Sequence, residues 1–444
     1  MAKKYFIETF GCQMNVLDSE KIAGSLRHEG MEPACDAKQA DVIILNTCSV
    51  REKAVQKAYA RLGEVKRHKT KRGEVVIGVV GCMAQLEGER ILKRAPYVSL
   101  LAGPQKSHAI PNLVAEAAAS KRPAIDLRMD EDPEPLETSH VLRENPWRAG
   151  VTISEGCNRQ CSFCVVPITR GRERNRESAN IIREVRELVA QGYVEIMLLG
   201  QTVNSYCDPA DSEIGFAGLL RRLAQIEGLK RIRFTSPHPN EFDDELLDVM
   251  VSCPQVCNHV HMPVQSGSTR VLRAMRRGYS RRRYLETIRK LKSAGRPIAV
   301  STDIIVGFPG ESEEDFQDTI SLIDQVQYDG MFSFKYSPRP NTAALAMGNQ
   351  IPEDEKTRRL MALQEKQRAI QIRRNSDLIG KREEVLVEGR HDKLAQWVGR
   401  TSQNRVLNFT HEANGGSLLG RYLPVLVTRA GPNSLVGESL GNML

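Results

Sequence analysis

Three apolar runs near the amino terminus each stop at a cysteine, and that coincidence restricts the architecture more than any other feature of the 444-residue chain. Tyr5-Phe6-Ile7-Glu8-Thr9-Phe10 alternates and ends at Gly11-Cys12, Asp41 to Thr47 ends at Cys48, and Val75 to Val80 ends at Gly81-Cys82. Helix-like stretches, Ser19 to Gly30 and Arg51 to Arg67, lie between them. The order βαβαβ predicts a parallel sheet, because parallel neighbours need a crossover and a helix supplies it. Cysteines just past the carboxyl ends of parallel strands share one edge, where α/β sheets place ligands. A single cysteine there is usually a small core residue, but three distant thiols meeting on one edge point to a metal centre. Cys35 falls off this pattern and reads as structural.

A second thiol group is local: Glu155-Gly156-Cys157-Asn158-Arg159-Gln160-Cys161-Ser162-Phe163-Cys164. Thiolates are soft ligands suited to iron-sulfur clusters or zinc. Zinc ribbons and knuckles use paired CxxC or a downstream His, which this run does not offer at the usual spacing. A structural metal knot completed from elsewhere in the chain is the plainer alternative. The spacing Cys157-x3-Cys161-x2-Cys164 resembles the signature of the radical S-adenosylmethionine (SAM) enzymes. The resemblance implies a 4Fe-4S cluster whose open iron chelates SAM, with release of a 5′-deoxyadenosyl radical, chemistry that belongs to the cofactor while the protein positions it. It also sets Phe163 beside the adenine of SAM.

From Arg148 to about Ser337 strands and helices alternate again. The strand candidates are Val151 to Ser154, Glu195 to Leu199, Arg231 to Phe234, His259 to Met262, Ile298 to Val306 and Met331 to Phe334. Helical patterns such as Ser178 to Gln191 and Arg281 to Ala294 fall between them. Six strands with helical crossovers predict a barrel, or most of one, with its chemistry at the carboxyl ends. The loops there are polar, including Ser236-Pro237-His238-Pro239, and Gln201, Asn204, Gln265, Ser266, Asp303 and Gly307 are the candidates to hold SAM. Their bland reading is as loop residues and helix caps. Cys253-x3-Cys257-x-His259-x-His261 could be drawn as a metal site, but the alternation suits a strand entering a barrel equally well.

Gly267 to Arg296 is the most basic stretch, and Arg276, Arg277 and Arg281 are candidates for a phosphate backbone lying across the barrel mouth; the plain alternative is a solvated helix face. After Lys381 short alternating runs at even intervals predict a small antiparallel barrel. Its polar hairpin contributes Arg400, Asn404 and Arg405 as further RNA-binding candidates.

A hydrophobic content of 41% with 27% charge sets global disorder aside, and a formal charge of +8 favours a polyanion over an acidic protein as partner. Ten cysteines in a reducing compartment point to metal ligation before disulfides. The start runs into a strand-like segment and no apolar run is long enough to span a bilayer, so a cytoplasmic location is expected. The acidic, proline-bearing run Asp130 to Pro135 marks a linker. The division expected is 1–120, a linker 121–146, a second domain 147–377 and a third 378–444.

The whole chain is similar to the methylthiotransferase family. Within it, Gly11 to Asn15, Asn46 to Ala54, His261 to Gly267 and Tyr336 to Pro340 are most similar to the branch that turns N6-dimethylallyladenosine beside the tRNA anticodon into its 2-methylthio derivative. Sister branches act on threonylcarbamoyl adenosine or a ribosomal-protein aspartate. The resemblance implies an amino-terminal parallel α/β domain, a partial TIM-like radical SAM barrel and a carboxyl-terminal TRAM barrel. It implies two 4Fe-4S clusters, one on Cys12, Cys48 and Cys82 and one on Cys157, Cys161 and Cys164, with methyl transfer to cluster-bound sulfur followed by radical chemistry. The partners it implies are tRNA, an electron donor such as flavodoxin or ferredoxin, and an iron-sulfur or sulfur donor protein, with no membrane and a monomeric enzyme. The alternative from another class is a non-catalytic iron-sulfur protein that binds RNA or carries electrons, which would consume no SAM.

Overall fold

The computed structural model describes residues 2–49, 52–72, 74–120, 122–130, 140–411 and 416–441. Positions 50 and 51 of the Asn46 to Ala54 motif, and the acidic run 131–139 of the expected linker, lie outside them.

The first 126 residues build a six-stranded sheet in the order Glu32–Pro33, Lys4–Phe10, Val42–Thr47, Val76–Gly81, Leu100–Ala102 and Ala124–Asp126, with every neighbouring pair parallel. Val42–Thr47 and Val76–Gly81 are buried along their whole length. Helices cover both faces of such a sheet, which is why these strands read as unbroken apolar runs instead of alternating ones. One face packs Ile43, Leu45, Ile77 and Val79 against Leu62 and Ile91, the other Ile44 and Leu100 against Ile22, Leu26 and Val114. The strand order reverses on either side of Lys4–Phe10, which makes the crevice beside it the switch point of the sheet. Phe10 is in register with Thr47, and Thr47 with Gly81, so Cys12, Cys48 and Cys82 leave the sheet at one level. The sixth strand, Ala124–Asp126, falls inside the stretch expected to be linker; three residues are too short for a periodic pattern to reveal.

Six parallel strands follow in chain order: Arg148–Thr152, Glu195–Leu199, Arg231–Phe234, His259–His261, Ala299–Val306 and Gly330–Lys335. A bridge between Ile232 and Val256 joins the two halves. Among the described residues no pairing closes the last strand onto the first, so the expected partial barrel is an open one. Its core is continuous, with Val151, Ile196, Leu198, Ile232, Val260 and Ile304 fully buried.

A long helix, Glu353–Ser376, leads to a closed five-stranded barrel in the order Arg382–His391, Gln396–Thr401, Val406–Thr410, Leu435–Ser439 and Tyr422–Ala430. The expected antiparallel pattern holds except between Val406–Thr410 and Leu435–Ser439, which pair parallel and close the barrel. This small barrel sits against the amino-terminal ends of the larger barrel's strands. Arg231 donates to the Arg400 and Glu384 carbonyls at 2.8 Å each, Arg233 donates to the Thr401 carbonyl at 2.8 Å, and Gln403 to the Pro297 carbonyl at 2.8 Å. The opposite, carboxyl-terminal mouth is thereby left for chemistry. Among the described residues no helix is long and apolar enough to cross a membrane.

Candidate active site

At the edge of the first sheet Cys12 is exposed while Cys48 and Cys82 are buried. Gly11 permits the approach: a Cβ there would stand 2.8 Å from that of Cys48 and overlap the Asn15 amide. Beneath the sulfurs lies a closed polar network. The Cys12 thiol donates to Asn15 Oδ1 at 3.3 Å, Asn15 Nδ2 donates to Asn46 Oδ1 at 3.1 Å, and Asn46 Nδ2 donates to the Asn15 carbonyl and Ser19 Oγ at 2.9 Å each. Both asparagines are fully buried, so their orientation is fixed. A hydrogen bond with Cys48, with the Arg170 charge behind it, pulls the Cys12 thiol down to about 6 against the effect of burial. Burial pushes Cys82 up.

Arg170 is the unexpected member of this site. Its guanidinium is buried and reaches Asp18 of the first domain at 2.5 Å and Glu155 at the foot of the second thiol loop at 2.7 Å. It closes the short helix Val166–Arg170 that begins two residues after Cys164. The only sequence sign of it was that position, and no periodic pattern marks a buried ion triad.

The second thiol loop turns at Gly156, whose φ of +81° and closeness to the Arg172 carbonyl admit no side chain. Ser162 ties the loop to the barrel: its amide donates to the Met275 carbonyl at 3.1 Å, its hydroxyl to the Ala274 carbonyl at 2.8 Å, and its carbonyl accepts from the Ala344 amide at 2.8 Å. Each sulfur meets at least one donor, and Cys157 Sγ also lies 3.8 Å from the Thr202 hydroxyl. The Arg159 amide lies 3.5 Å from Cys157 Sγ, the Val166 amide 3.5 Å from Cys164 Sγ, and Arg277 Nη1 3.2 Å from Cys161 Sγ. Burial pushes the Cys164 thiol up to about 12. Donors aimed at all three sulfurs suit thiolates that carry charge. Among the described residues no three His, Cys, Asp or Glu side chains converge tightly enough to hold a single ion.

Around this loop the strand ends carry buried polar atoms with no partner among the described residues: Thr152 Oγ1, Ser154 Oγ, Gln201 Oε1, His238 Nε2 and Tyr336 Oη. Such atoms in a crevice await a polar ligand. Burial, with the Arg277 and Arg159 charges, lowers His238 to about 2, so its ring is neutral.

Several candidates meet here. Phe163 packs among Val271, Met275, Phe308 and Tyr336. Gln201 is at the mouth. Asn204 holds the His238 segment, accepting from its amide at 2.6 Å and donating to its carbonyl at 2.9 Å. Gln265 adopts φ +72° while its backbone pairs with Asp303 and Ile305, and the Ser266 hydroxyl accepts from the Ser268 amide at 3.2 Å. Asp303 lies 3.4 Å from His261 Nε2. Gly307, φ +71°, donates to Glu311 at 2.6 Å and lies against Lys356. Ser268 caps its helix through the Val271 amide.

The basic candidates need correction. Of Arg276, Arg277 and Arg281, only Arg276 is exposed. Arg277 is buried on Cys161, and Arg281 is spent on the Gly267 and Asp318 carbonyls and Ser321 Oγ. Arg405 pairs with Asp329 at 2.5 Å and with Asn375, which spends it on the neighbouring domain, while Arg400, whose side chain is 28% exposed, faces Glu388 and Asn404 within the small barrel. The cause is tertiary: the hairpin caps strand ends that a linear reading cannot place opposite it. In the Cys253 to His261 run, His259 and His261 share Ser301 Oγ at 2.9 Å, while Cys257 is buried near Arg233.

Three family models match the chain: the radical SAM superfamily over residues 151–323, the uncharacterized protein family UPF0004 over 4–103, and the TRAM domain over 377–440. Among solved structures, the radical S-adenosylmethionine methyltransferase TsrM from Kitasatospora setae shares the fold, with a TM-score of 0.55 at 14% identity over 78% of this chain and 75% of that one. The curated tRNA-2-methylthio-N(6)-dimethylallyladenosine synthase of Solibacter usitatus is 53% identical over 98% of both chains. The protein of the same name from Aquifex aeolicus is 43% identical over 99% of both. With likeness of that degree across nearly its full length, and both thiol groups in the matched regions, the chain belongs to the family of the tRNA-2-methylthio-N(6)-dimethylallyladenosine synthases.

Proposed function

We infer that the chain is a radical SAM tRNA methylthiotransferase. It replaces the hydrogen on carbon 2 of N6-dimethylallyladenosine, beside the anticodon, with a methylthio group. The observation that carries this reading is the pair of three-thiol groups, each at the carboxyl edge of its own parallel sheet, joined through the Arg170 triad. The names of its relatives support the substrate.

Each thiol group suits a 4Fe-4S cluster with one iron free of protein ligands. When bound, SAM and the clusters supply a carbon radical, able to act on a hydrogen too weakly acidic for a side-chain base, and the sulfur that is methylated and transferred. The chain's own work is to hold and orient. Cys157, Cys161 and Cys164 grip one cluster and Cys12, Cys48 and Cys82 the other. Gln201 Oε1 offers an acceptor to an amino group of SAM, while the neutral His238 ring, whose Nδ1 accepts the Asn240 amide at 3.3 Å, carries its proton on Nε2 and offers a donor, with Phe163 beside the adenine. Gln265, Ser266, Asp303 and Gly307 frame the opposite wall, and Asn204 steadies the His238 segment. Arg276, exposed at the mouth, meets the tRNA backbone.

The same reading divides the chain into a first domain expected as 1–120 that also takes in the strand Ala124–Asp126, a linker from there to 146, then 147–377 and 378–444. Electrons arrive from a flavodoxin or ferredoxin, a donor protein renews iron-sulfur or sulfur, and the enzyme works as a monomer in the cytoplasm. Anaerobic incubation of the cluster-loaded protein with SAM, reductant and tRNA bearing dimethylallyladenosine, followed by mass spectrometry of the nucleosides, tests enzyme, cofactor and substrate together. Absence of the 2-methylthio nucleoside from protein holding about eight irons per chain refutes the reading.

A further inference from the structure

Arg277 is 8% exposed, and none of its hydrogen bonds or ion pairs among the described residues reaches a carboxylate. Its Nε donates to Tyr279 Oη at 3.2 Å, Nη2 to the Pro263 carbonyl at 3.3 Å and Nη1 to Cys161 Sγ at 3.2 Å. The other acceptors are neutral. Burying a guanidinium without a counter-ion costs several kcal/mol, so a fold that keeps one here must meet it with negative charge, and the Cys161 sulfur is where that charge lies. The nearby Arg159 is already paired with Glu241 and does not compete.

We propose that Arg277 raises the reduction potential of the cluster held by Cys157, Cys161 and Cys164, donating an N–H···S bond to the Cys161 thiolate and setting an otherwise uncompensated positive charge beside it. The proposal rests on the reading of these cysteines as cluster ligands. Reduction adds one negative charge to the cluster. A fixed cation in a low-dielectric site stabilises the reduced form more than the oxidised one, and hydrogen bonds to cluster sulfurs act in the same direction. Arg277 is thus a positioning and tuning residue that touches a ligand, not the substrate.

The test is a potentiometric titration, followed by electron paramagnetic resonance, of anaerobically reconstituted full-length protein as wild type, Arg277→Lys and Arg277→Met. Repeating it in a Cys12→Ser/Cys48→Ser/Cys82→Ser background isolates the signal of this cluster. Arg277→Met should weaken the one-electron reduction equilibrium at least tenfold, about 59 mV more negative. Arg277→Lys, which keeps a charge but loses the planar fork, should move less in the same direction. Wild-type potentials in both variants at wild-type iron content overturn the proposal. So does a fall in melting temperature or iron content with the potential unmoved, the result a mere tether predicts. If the Met variant fails to hold its cluster, the Lys variant decides, and a wild-type potential there overturns the proposal. A wild-type triplet that assembles no 4Fe-4S cluster removes the ligand reading and this proposal together, whereas an assembled cluster with unmoved potential removes only the proposal.

Discussion

Arg170→Met should loosen the junction between the first two domains severely. The guanidinium is 3% exposed and its partners Asp18 and Glu155 are 11% exposed, so the variant leaves Asp18 without the Arg170 charge and Glu155 with the more distant Arg174 at 3.4 Å, where there is little water. Breaking a buried ion pair by removing one partner costs about 3–5 kcal/mol. Because several domains unfold, a single melting temperature is a poor measure, and local opening followed by hydrogen exchange is better. Amides in Gln13–His28 and Arg148–Thr152 should lose protection by about two to four orders of magnitude, at 1.4 kcal/mol per decade. Burial already holds the Asp18 carboxyl above its usual range, with Arg170 pulling the other way. Without Arg170 it rises further, so the folded variant binds a proton that the unfolded chain releases. Stability from that proton is present at low pH and lost as pH rises toward the folded value, and the deficit should therefore be smaller at pH 5.5 than at pH 8. Adding Asp18→Asn and Glu155→Gln should recover much of the loss. Protection within about threefold of wild type, or a deficit that ignores pH, would falsify the triad as a structural tie.

Cys157→Ala should abolish release of 5′-deoxyadenosine, while Cys12→Ala should stop sulfur insertion and leave SAM cleavage at least partly intact; methylthio product from a Cys12→Ala protein holding one cluster contradicts that division. Arg405→Ala should weaken the small barrel's contact by about 1.5–3 kcal/mol, since Asp329 keeps Arg374 at 2.8 Å, and leave tRNA affinity within about threefold; a tenfold, salt-dependent loss of tRNA binding with the fold intact returns Arg405 to the RNA surface. In the metal-free protein, alkylation of Cys12 should rise through pH 6 and level off by about 7.5, because its thiol sits at about 6, while Cys164, pushed to about 12 by burial, stays slow. A Cys12 rate still climbing tenfold per unit at pH 8 shows an ordinary thiol.

What the sequence disclosed follows from which forces are local. Val42–Thr47 and Val76–Gly81 are buried on both faces, so their apolar runs were visible, and a parallel sheet then obliged their carboxyl ends, with Cys48 and Cys82, to share an edge. Arg231–Phe234 and most of Ala299–Val306 in the large barrel were legible for the same reason, whereas Gly330–Lys335, only half-buried, was legible through its aromatic, strand-favouring residues. Gln396–Thr401 was not, because it carries Gly399, whose hydrogen leaves room for the Leu386 carbonyl, among polar residues that read as a hairpin. The arginines misled because a basic run has no direction in sequence. Whether Arg277 or Arg405 meets solvent depends on Cys161, 116 residues away, and on Asp329, 76 residues away. A charge that looks free in sequence can be the most constrained group in the fold.

The helix Val166–Arg170 links the two thiol groups physically. Five residues at about 1.5 Å each cover about 7.5 Å. At its start lies the Val166 amide, on the Cys164 sulfur, and at its end Thr169 and Arg170 reach Cys82 and Asp18. One short rigid element therefore fixes the separation of two centres that belong to different sheets. Loops at both ends would have let that separation drift, and a misplacement of about 1 Å between reacting groups can cost a hundredfold in rate. The two contributions to the junction differ in kind. Met14 and Leu17 pack on Leu199 without direction, while the Arg170 triad sets the angle. Apolar contact draws the domains together, and the ion triad both ties the junction and decides where one set of sulfurs points relative to the other.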